Sequence, residues 1–358
     1  MSRIRVAVLG TSFGRLVLAP VFRRHAGFEL VAISGRDPER TQRVAAELDG
    51  PRGYHDWREL LERERPELVA VATPCDLHHD MMMGAVAAGA HVLCDKPTAL
   101  DRWQAGAMRD AAASAGVLAG MNHEFRFFPA RMHALSLVRA GAIGRPRRME
   151  ILGRYPIWWR PESRGMTWLS QAERGGGILG ALGSHHTDCF RTFLGEPVSA
   201  LASVRVEQPR RGTDGVATAD DACTVHYAFA DGATAVMDLC ASAPYRGERF
   251  EVHGEDATLR WDEGGYTLWR IEAGKEPERL ETPAAFRLEP REGEPALVAP
   301  FTVMADRLYR AIRHGEPLDP SFAADGVPVQ CALDACRASS EAGARVAVPA
   351  PPEPATRV

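Results

Sequence analysis

The sequence predicts an α/β protein of two domains, in which a doubly wound parallel sheet is followed by an α+β domain with a mainly antiparallel sheet. As far as residue 122, short and uniformly apolar runs alternate with helical stretches, which is typical of a parallel sheet covered on both faces. Beyond residue 123 the strand-like runs follow one another directly, and turn sequences join several of them. A length of 358 residues is sufficient for two domains that each bury a core.

The first domain, residues 1–122, is expected to consist of strands separated by helices. Apolar and β-branched runs predict strands over 4–9, 29–33, 68–72, 91–94 and 117–121. Helices are predicted over 38–48, 56–64, 77–88 and 102–115. A further helix follows the first strand, and Pro20 is expected to kink it or to follow its first turns.

The second domain, residues 123–345, is expected to begin with a helix over 129–140 and to continue as a sheet. Strands are predicted over 147–152, 200–206, 223–229, 233–240, 250–252, 258–261 and 266–271. The turn sequences "ADG" (230–232) and "DEGG" (262–265) indicate hairpins, and two late helices are predicted over 301–314 and 322–342. The proline-rich segment 346–358 is expected to be a disordered tail.

The composition excludes several classes of protein. A net charge of −4 and a pI near 6.3 give no electrostatic basis for binding nucleic acid or an anionic membrane. The sequence contains no uninterrupted run of 18 apolar residues, and its first residues run directly into a strand, so neither a membrane span nor a signal peptide is expected. The seven cysteines are scattered without a CxxC pair, which predicts no metal site, no disulfide framework and a cytoplasmic location.

The turn after the first strand predicts a nucleotide site. The strand ends at Leu9 and is followed by "GTSFGR", a glycine-containing turn that opens a helix. Glycines at this place let the backbone approach a pyrophosphate, and the helix N-terminus supplies oriented N–H donors. The match to GxGxxG is imperfect, because Ser12 stands at the second glycine position and Gly14 falls one residue early. A purely structural turn is the alternative. The cofactor candidates in this turn are Gly10, Thr11, Ser12, Phe13 and Gly14.

The end of the second strand distinguishes between the two nicotinamide dinucleotides. NAD sites commonly carry an acid here that accepts from the ribose 2′-hydroxyl, but this strand ends in "ISGRDP" with Gly35 at the acidic position. Ser34 and Arg36 suit a 2′-phosphate instead. Asp37 is expected to cap the next helix, with Pro38 at its first position, and is then less available to a ribose. The sequence therefore favours NADP, with NAD as the alternative.

Motifs along nearly the whole chain resemble, in order and spacing, those of the Gfo/Idh/MocA oxidoreductases, which include glucose–fructose oxidoreductase and inositol dehydrogenase. The motifs are "GTSFG" (10–14), "VATPCDLHHD" (71–80), "CDKPTALD" (94–101), "NHEFRFFPAR" (122–131), "GAIGRP" (141–146), "GGGILGALGSHHTD" (175–188), "FEVHGEDATLRW" (250–261) and "DRLYRAIRHGEPLDP" (306–320). The resemblance implies a Rossmann domain that binds NAD or NADP and a second domain for substrate binding and oligomerisation.

Lysine is rare in this chain, which has only Lys96 and Lys275 against 41 arginines. The family resemblance implies that Lys96 is the active-site lysine, in Asp-Lys-Pro where the family normally has Glu-Lys-Pro. An ammonium at this place can hydrogen-bond a reacting oxygen and exchange a proton with it, whereas a guanidinium does not release its proton. The alternative is a solvent-facing lysine at the end of a strand.

The segment "GALGSHHTD" is the second candidate for catalysis. It resembles the family pattern Asp-x-Gly-x-His-x-x-Asp, which implies that His185 is catalytic and that Asp188 is the last acid of the pattern. The first acid is replaced by Ala181, which puts the usual proton relay and substrate pose in doubt. An imidazole suits acid–base work on a hydroxyl. A histidine that only packs within the helix is the alternative, and the neighbouring His186 is the second choice.

The resemblance implies further contacts to the cofactor and the substrate. Near the cofactor it places Thr73, Pro74, His78, Asp95, Pro97 and Asn122. Arg126 is expected to bind substrate or to pair with Glu124. Tryptophans and arginines between residues 154 and 168 suit the apolar face and the hydroxyls of a sugar, and Arg164 and Trp168 are the candidates chosen from them.

The expected activity is reversible hydride transfer between a nicotinamide and a secondary hydroxyl or ketone of a sugar, polyol or sugar acid. Lys96 and His185 are expected to handle the hydroxyl proton, without a metal. The alternatives are an enzyme that uses its dinucleotide without net redox change, as in glycoside cleavage by transient oxidation, and a non-catalytic nucleotide-binding regulator. A homodimer or homotetramer is expected, because several late strands alternate in polarity and leave one sheet face to be covered.

Overall fold

The computed structural model describes residues 2–213, 215–262 and 265–354. The chain divides into two compact units, which we describe separately. The N-terminal unit contains the described residues of 1–124, 289–328 and 351–354. The second unit contains those of 125–288 and 329–350.

The N-terminal unit is built on a parallel sheet with the strand order β3-β2-β1-β4-β5-β6 among the described residues. Its strands are β1 (Ile4–Leu9), β2 (Phe28–Ser34), β3 (Arg52–Tyr54), β4 (Leu68–Val71), β5 (His91–Cys94) and β6 (Ala119–Met121). The central strands β1 and β4 are almost entirely buried, as expected for a sheet covered on both faces. This confirms the predicted doubly wound parallel sheet. The short strand β3 was not predicted.

The helices of the described residues lie close to their predicted positions. They are α1 (Ala19–Arg24), α2 (Pro38–Glu47), α3 (Trp57–Glu64), α4 (His78–Ala87), α5 (Arg102–Ala115), α6 (Pro129–Arg139), α7 (Ser184–Leu194), α8 (Val298–His314) and α9 (Val327–Ala342). A π-helical turn, Gly14–Leu18, runs directly into α1, and Pro20 is the second residue of α1, after the first turns of this helical segment as expected. Asp101 caps α5 by accepting from the N–H groups of Trp103 and Gln104, each at 2.8 Å.

The second unit contains a large mixed sheet with the order β16-β15-β14-β13-β7-β12-β11-β8-β17, and a small ribbon of β9 and β10. The described strands are β7 (Arg148–Pro156), β8 (Pro197–Arg205), β9 (Arg210–Arg211), β10 (Gly215–Val216), β11 (Ala222–Phe229), β12 (Thr234–Cys240), β13 (Ser242–His253), β14 (Thr258–Asp262), β15 (Leu268–Ile271), β16 (Glu278–Leu280) and β17 (Val346–Ala347). Their pairings are antiparallel except for β12 with β7, so the predicted mainly antiparallel sheet is confirmed.

One face of this sheet carries the core of the second unit. Along β11 and β12, buried side chains such as Val225 and Met237 alternate with half-exposed ones such as His226 and Val236. The buried set packs with residues of the helices, among them Phe190 of α7 and Leu333 of α9. The alternation leaves the opposite face half-exposed.

The limits of the two units differ from the predicted domain boundaries. Residues 289–328, which we had expected within a second domain of 123–345, belong to the N-terminal unit. Phe301 of α8 is fully buried there, and its ring meets that of Phe22 edge-on at 5.5 Å. Helix periodicity predicts that α8 is amphipathic, but it does not show which sheet the apolar face covers.

The expected disordered tail, 346–358, is structured where the chain is described. Val346–Ala347 pairs with β8. Pro352 packs against Gly106, and a Cβ on Gly106 would lie 3.0 Å from the proline ring. Residues 355–358, and residues 263 and 264 of the predicted turn "DEGG", lie outside the described residues. Among the helices described, none has the length and apolar character needed to cross a membrane.

Candidate active site

The turn between β1 and the π-helical turn needs its two glycines for packing. Gly10 has φ +127°, and a Cβ there would lie 2.1 Å from the carbonyl oxygen of Ala72 at the end of β4. A Cβ on Gly14 would lie 2.7 Å from the Val8 side chain, so this glycine lets the helical turn pack on β1. That is the task of the third glycine in a dinucleotide fingerprint, and Gly14 performs it one residue early.

Arg40 is a residue of this turn region that the sequence analysis missed. Its Nη2 donates to the carbonyl oxygen of Thr11 and to Oγ of Ser12, both at 3.1 Å. The side chain is exposed, as is that of Arg36 at the end of β2. The Arg40 guanidinium therefore lies beside the first turn. Arg40 lies in the first turn of α2, and the predicted start of this helix at Pro38 was the signal available in the sequence.

The missing acid at position 35 has a packing explanation. A Cβ on Gly35 would lie 2.6 Å from Cγ2 of Thr11 and 2.8 Å from Oγ1 of Thr41, so a side chain does not fit without movement. Asp37 caps α2 by accepting from the Arg40 N–H at 2.9 Å, as predicted. Ser34 is buried.

His78 joins the two loops that follow β4 and β5. The fully buried ring has its Nε2 2.9 Å from the carbonyl oxygen of Thr73 and its Nδ1 2.9 Å from that of Pro97. Burial lowers the pKa of His78, mainly because the imidazolium loses its hydration. His78 thus lies between the Thr73–Pro74 and Lys96–Pro97 loops, and its neutral ring donates to one of these two carbonyl oxygens.

The loop after β5 is fixed by the carboxylate of Asp95. This buried group accepts from the Lys96 N–H at 2.9 Å and from Nδ2 of Asn122 at 3.2 Å. The Asn122 N–H in turn donates to the carbonyl oxygen of Cys94 at 2.7 Å. Lys96 is half-buried, whereas Lys275 is 68% exposed and pairs with Glu272. Lys96 therefore lies partly inside the protein at the end of a strand, whereas Lys275 lies on the surface.

The N-terminal unit fits a nicotinamide dinucleotide on two observations. The turn after β1 carries two glycines that have no room for a Cβ, so its backbone is bare of side chains there, and Oδ1 of the buried Asn122 has no hydrogen-bond partner among the described residues. A buried amide oxygen without a partner costs free energy, so a ligand N–H would stabilise it. The turn, the Thr73–Pro74 loop, Lys96 and Asn122 all follow the carboxyl ends of neighbouring strands.

Glu124 is a second residue that the sequence analysis did not assign to the site. It is fully buried and begins a 3-10 turn, Glu124–Phe127, just beyond β6. Burial, then the charge of Asp95, raises the pKa of Glu124 to about 8, although the Lys96 ammonium acts in the opposite direction. A buried carboxyl that keeps its proton near neutral pH is a frequent feature of active sites.

His185, in the second unit, lies at the start of α7 and is 1% exposed. Its ring stacks on Phe125, with centroids 3.8 Å apart and an interplanar angle of 3°. The preceding glycine loop is anchored by Asp220, which accepts from the Leu179 N–H at 2.8 Å. Burial raises the pKa of Asp220 to about 6, and Gly177 has no room for a Cβ beside this carboxylate. Ala181 lies in the π-helical turn Leu179–Gly183, which connects the glycine loop to α7.

His186 lies in the core of the second unit. Its ring meets Phe250 edge-on at 5.5 Å, and burial, then the charge of Arg131, lowers its pKa to about 3. A neutral, buried imidazole of this kind suits packing and does not suit proton exchange near neutral pH. His185 remains the better candidate of the two.

Asp188 forms a buried ion-pair cluster in the second unit. The carboxylate accepts from Nε of Arg126 at 2.9 Å and from Nη2 of Arg131 at 3.0 Å, and all three side chains are almost or entirely buried. Arg126 therefore pairs with Asp188, where the sequence had suggested a pairing with Glu124. The carboxylate oxygens of Asp188 are bound by these two arginines. Asp188 therefore orients the Arg126 side chain.

The tryptophan-rich segment divides into core and surface. Trp158 is fully buried, with the Arg211 guanidinium 4.6 Å from its ring, and Arg211 is itself paired with the buried Asp221 at 3.1 Å. This tryptophan belongs to the core. Trp168 is half-buried and Arg164 is exposed, so both side chains are accessible to a ligand.

Comparison with known proteins identifies the family. Residues 4–123 match the family model "Oxidoreductase family, NAD-binding Rossmann fold", and residues 132–260 match "GFO/IDH/MocA C-terminal domain". The chain belongs to the GFO/IDH/MocA oxidoreductase family. This confirms the resemblance predicted from the motifs and the enzyme class, an NAD(P)-dependent oxidoreductase.

Known members of the family align with this protein over most of its length. An uncharacterized oxidoreductase of Synechocystis is 28% identical over 361 residues, which span 97% of this chain and 96% of the relative. Levoglucosan dehydrogenase of Pseudarthrobacter phenanthrenivorans is 28% identical over 88% of this chain and 89% of its own. A solved structure of a levoglucosan dehydrogenase in complex with NADH is 25% identical, with a TM-score of 0.88 over 97% of this chain and 100% of that one.

Proposed function

We propose that this protein transfers a hydride between a nicotinamide dinucleotide and a secondary hydroxyl or ketone of a sugar, polyol or sugar acid. The observation that carries the proposal is the position of Lys96. It is the half-buried lysine of a chain with 41 arginines, and it follows β5 at the strand edge where the glycine turn and Asn122 also lie. Its relatives include a levoglucosan dehydrogenase, which supports a carbohydrate-like substrate.

The chain's own residues divide the work between binding and proton transfer. The turn 10–14 and the loop of Thr73 and Pro74 hold the dinucleotide, which accepts or supplies the hydride when bound. Asp95, through its bond to the Lys96 N–H, fixes the backbone that carries the lysine. The Lys96 ammonium hydrogen-bonds the reacting oxygen and stabilises negative charge there. His185, held in plane by Phe125, serves the same hydroxyl as an acid or base.

NADP is the proposed cofactor in preference to NAD. Arg40 is exposed beside the first turn, Arg36 is exposed just after β2, and both supply positive charge for a 2′-phosphate. Position 35 is a glycine, so the acidic side chain that would repel this phosphate is missing. The solved levoglucosan dehydrogenase structure contains NADH, which makes NAD the alternative for this chain.

The substrate is proposed to meet residues of the second unit. Trp168 and Arg164 are accessible and suit the apolar face and the hydroxyls of a sugar ring. Arg126, oriented by Asp188, is the third candidate.

The test is a turnover assay that follows reduced cofactor at 340 nm. Purified protein is given NADP or NAD with a panel of sugars, polyols, sugar acids and anhydrosugars that includes levoglucosan. A Lys96→Met variant should lose turnover, while Lys275→Met, which removes the other lysine, should keep it. Turnover that survives Lys96→Met would refute the proposed site.

A second candidate function follows from Ala181. A chain without an acid at this position lacks one group of the family's proton relay. An enzyme that oxidises its substrate only transiently, or a protein that only senses nucleotide, therefore stays an alternative. Product formation without net change in cofactor absorbance would favour transient oxidation, and tight cofactor binding without turnover would favour the sensor.

Assembly as a homodimer or homotetramer is part of the proposal. Leu201 of β8 is exposed, and Leu152 and Val236 are half-exposed on the side of the large sheet that faces away from its core. Apolar residues on an open sheet face favour pairing with a second copy. Light scattering at micromolar protein should give a mass at least twice 39.0 kDa. The seven free cysteines fit a reducing compartment such as the cytoplasm.

A further inference from the structure

The open face of the large sheet, which faces away from its core, carries two glutamates and a histidine side by side. Glu150 of β7 stands directly opposite Glu251 of β13, and His253 lies two residues further along β13, on the same face. One ligand atom from each of the three side chains lies within 4.8 Å of the other two, and all three residues are half-buried. We call these residues the Glu–Glu–His cluster.

The two carboxylates of the cluster repel each other, because like charges directly opposite one another destabilise a sheet. Nε of Arg148 donates to Oε1 of Glu150 at 2.5 Å. Nε of Arg249 lies 3.9 Å from Oε1 of Glu251, beyond hydrogen-bond distance, and Arg260 stands opposite Glu251 on β14. Arg148 and Arg249 are 44% and 49% exposed, and ion pairs this exposed contribute little to stability. Since both approach Oε1 atoms, the Oε2 atom of each carboxylate can ligate a further cation.

The imidazole of His253 is oriented for ligation. Its Nδ1 lies 2.9 Å from Oγ1 of Thr258 on β14, and its Nε2 lies 3.7 Å from Oε2 of Glu251. A ring that donates from Nδ1 to a neighbouring oxygen presents the Nε2 lone pair to a metal, and metal-binding histidines are commonly held in this way. With zinc–ligand bonds of about 2.0–2.1 Å in a tetrahedron, two ligand atoms lie about 3.3–3.4 Å apart. Nε2 and Oε2 therefore need only a small approach to share an ion.

We propose that the Glu–Glu–His cluster binds a divalent transition-metal ion, for which Zn²⁺ is the best match. The ligands are Oε2 of Glu150, Oε2 of Glu251 and Nε2 of His253, and water takes the fourth position of the tetrahedron. The ion neutralises the two facing carboxylates and ties β7 to β13 in the middle of the large sheet. The site lies wholly in the second unit, and the inference does not rest on the proposed hydride transfer.

The ligand set selects among cations. An imidazole nitrogen is a good ligand for Zn²⁺ and related transition metals, whereas Mg²⁺ prefers an octahedron of oxygens and keeps several waters. Cysteine spacing carries no information on such a site, since none of its ligands is a thiol. A plain ion pair between His253 and Glu251 is the alternative, because Nε2 and Oε2 lie 3.7 Å apart. That ion pair needs no metal, so a metal titration separates the two.

The test is a titration of the intact protein with Zn²⁺ alone. Protein that has been treated with EDTA and exchanged into metal-free buffer is titrated with zinc chloride in a calorimeter. About one ion per chain should bind with a Kd in the micromolar range or below, Co²⁺ should bind more weakly at the same ratio, and excess Mg²⁺ should not compete. The measurement needs neither substrate nor cofactor. A protein that binds no zinc, or that exchanges its zinc for Mg²⁺, would overturn the proposal.

Variants at half-exposed positions of the sheet assign the zinc to the cluster. His253→Gln and Glu150→Gln each remove one ligand and should raise the Kd for Zn²⁺ about 100-fold. Thr258→Val keeps the shape of the side chain but releases the imidazole ring, and should raise the Kd about tenfold. The matched control is His226→Gln, which removes a half-exposed histidine of β11 on the same face and should leave the Kd unchanged. An unchanged Kd in His253→Gln, or an equal loss in His226→Gln, would contradict the assignment.

X-ray absorption of the zinc-loaded wild-type protein covers the case in which the variants do not fold. The spectrum should show nitrogen and oxygen neighbours at about 2.0–2.1 Å, the outer-shell pattern of a single imidazole, and no sulfur at about 2.3 Å. Cys240 of β12 is a half-buried thiol on the same face and is the competing ligand. Cys240→Ser should therefore bind Zn²⁺ like the wild type. Sulfur in the spectrum, or the pattern of no imidazole, would place the ion elsewhere and overturn the proposal.

Discussion

His185 and Phe125 lie face to face, with ring centroids 3.8 Å apart and planes only 3° from parallel. Phe125 belongs to the turn that follows β6, and His185 begins α7, so the stack connects two segments that are 60 positions apart in the chain. A flat contact of this kind fixes the plane of the imidazole and leaves its two nitrogens at the ring edge. The ring of the candidate acid–base residue is therefore oriented by an apolar neighbour.

We expect Phe125→Leu to lower kcat about tenfold, because the imidazole loses its stacking partner and samples more orientations. The cofactor Kd should stay the same, since Phe125 belongs to the second unit. Phe128→Leu is the control, because Phe128 contacts Phe125 edge-on at 5.5 Å without stacking on His185. Equal losses in both variants would mean that general packing, and not the stack, supports turnover.

The lysine makes the clearest prediction for catalysis. Lys96→Arg keeps the positive charge but does not release a proton, and Lys96→Met loses both properties. Both should lower turnover about 10²-fold or more while cofactor binding is nearly unchanged, as expected for a group that acts in the transition state. The control is Lys275→Arg at an exposed site. If Lys96→Arg turned over like the wild type, a charge alone would be sufficient at position 96.

Cofactor choice is best tested at Arg36 and Arg40. Arg36→Ala should raise the Kd for NADP about tenfold and change that for NAD little, because one charge contact to the 2′-phosphate is lost. Arg40→Ala should weaken both cofactors, since Arg40 also holds the Thr11 oxygen and Ser12. Fluorescence titration of reduced cofactor measures both constants. NAD binding more tightly than NADP in the wild type would contradict the proposed preference.

Gly35→Asp, the obvious change for converting such a site to NAD, should fail in this chain. Any Cβ at position 35 meets Thr11 and Thr41 within 3 Å, so the variant should bind both cofactors less well and unfold at a lower temperature. Thermal unfolding with and without each cofactor measures this. A Gly35→Asp protein with wild-type stability would show that the first turn moves easily.

The parallel sheet and the loops of the site were predictable from the sequence because they depend on local order. Strands buried on both faces are uniformly apolar, and their carboxyl ends place the turn at Gly10, the Thr73 loop and Lys96 on one edge. The partner of Asp188 was not predictable, since Arg126 is 62 positions away and the pairing depends on how α7 packs. Glu124 was missed for a similar reason, because only its burial beside Asp95 changes the chemistry of the carboxyl.

The buried His186 predicts how stability depends on pH. Burial lowers its pKa to about 3 from an ordinary 6.5, so between these values the unfolded chain binds a proton that the folded protein does not. The contribution of this group to stability is complete above pH 6.5 and is lost as the pH falls toward 3, by up to about 1.4 kcal/mol per pH unit. His186→Phe, which keeps an aromatic ring against Phe250, should remove that loss. Chemical denaturation at pH 7 and pH 5 measures the difference, with His79→Phe, at a half-exposed position, as the control. The His186→Phe variant should gain about 2 kcal/mol on the wild type between pH 7 and pH 5, and an equal acid sensitivity of the two proteins would show that the buried imidazole does not limit stability.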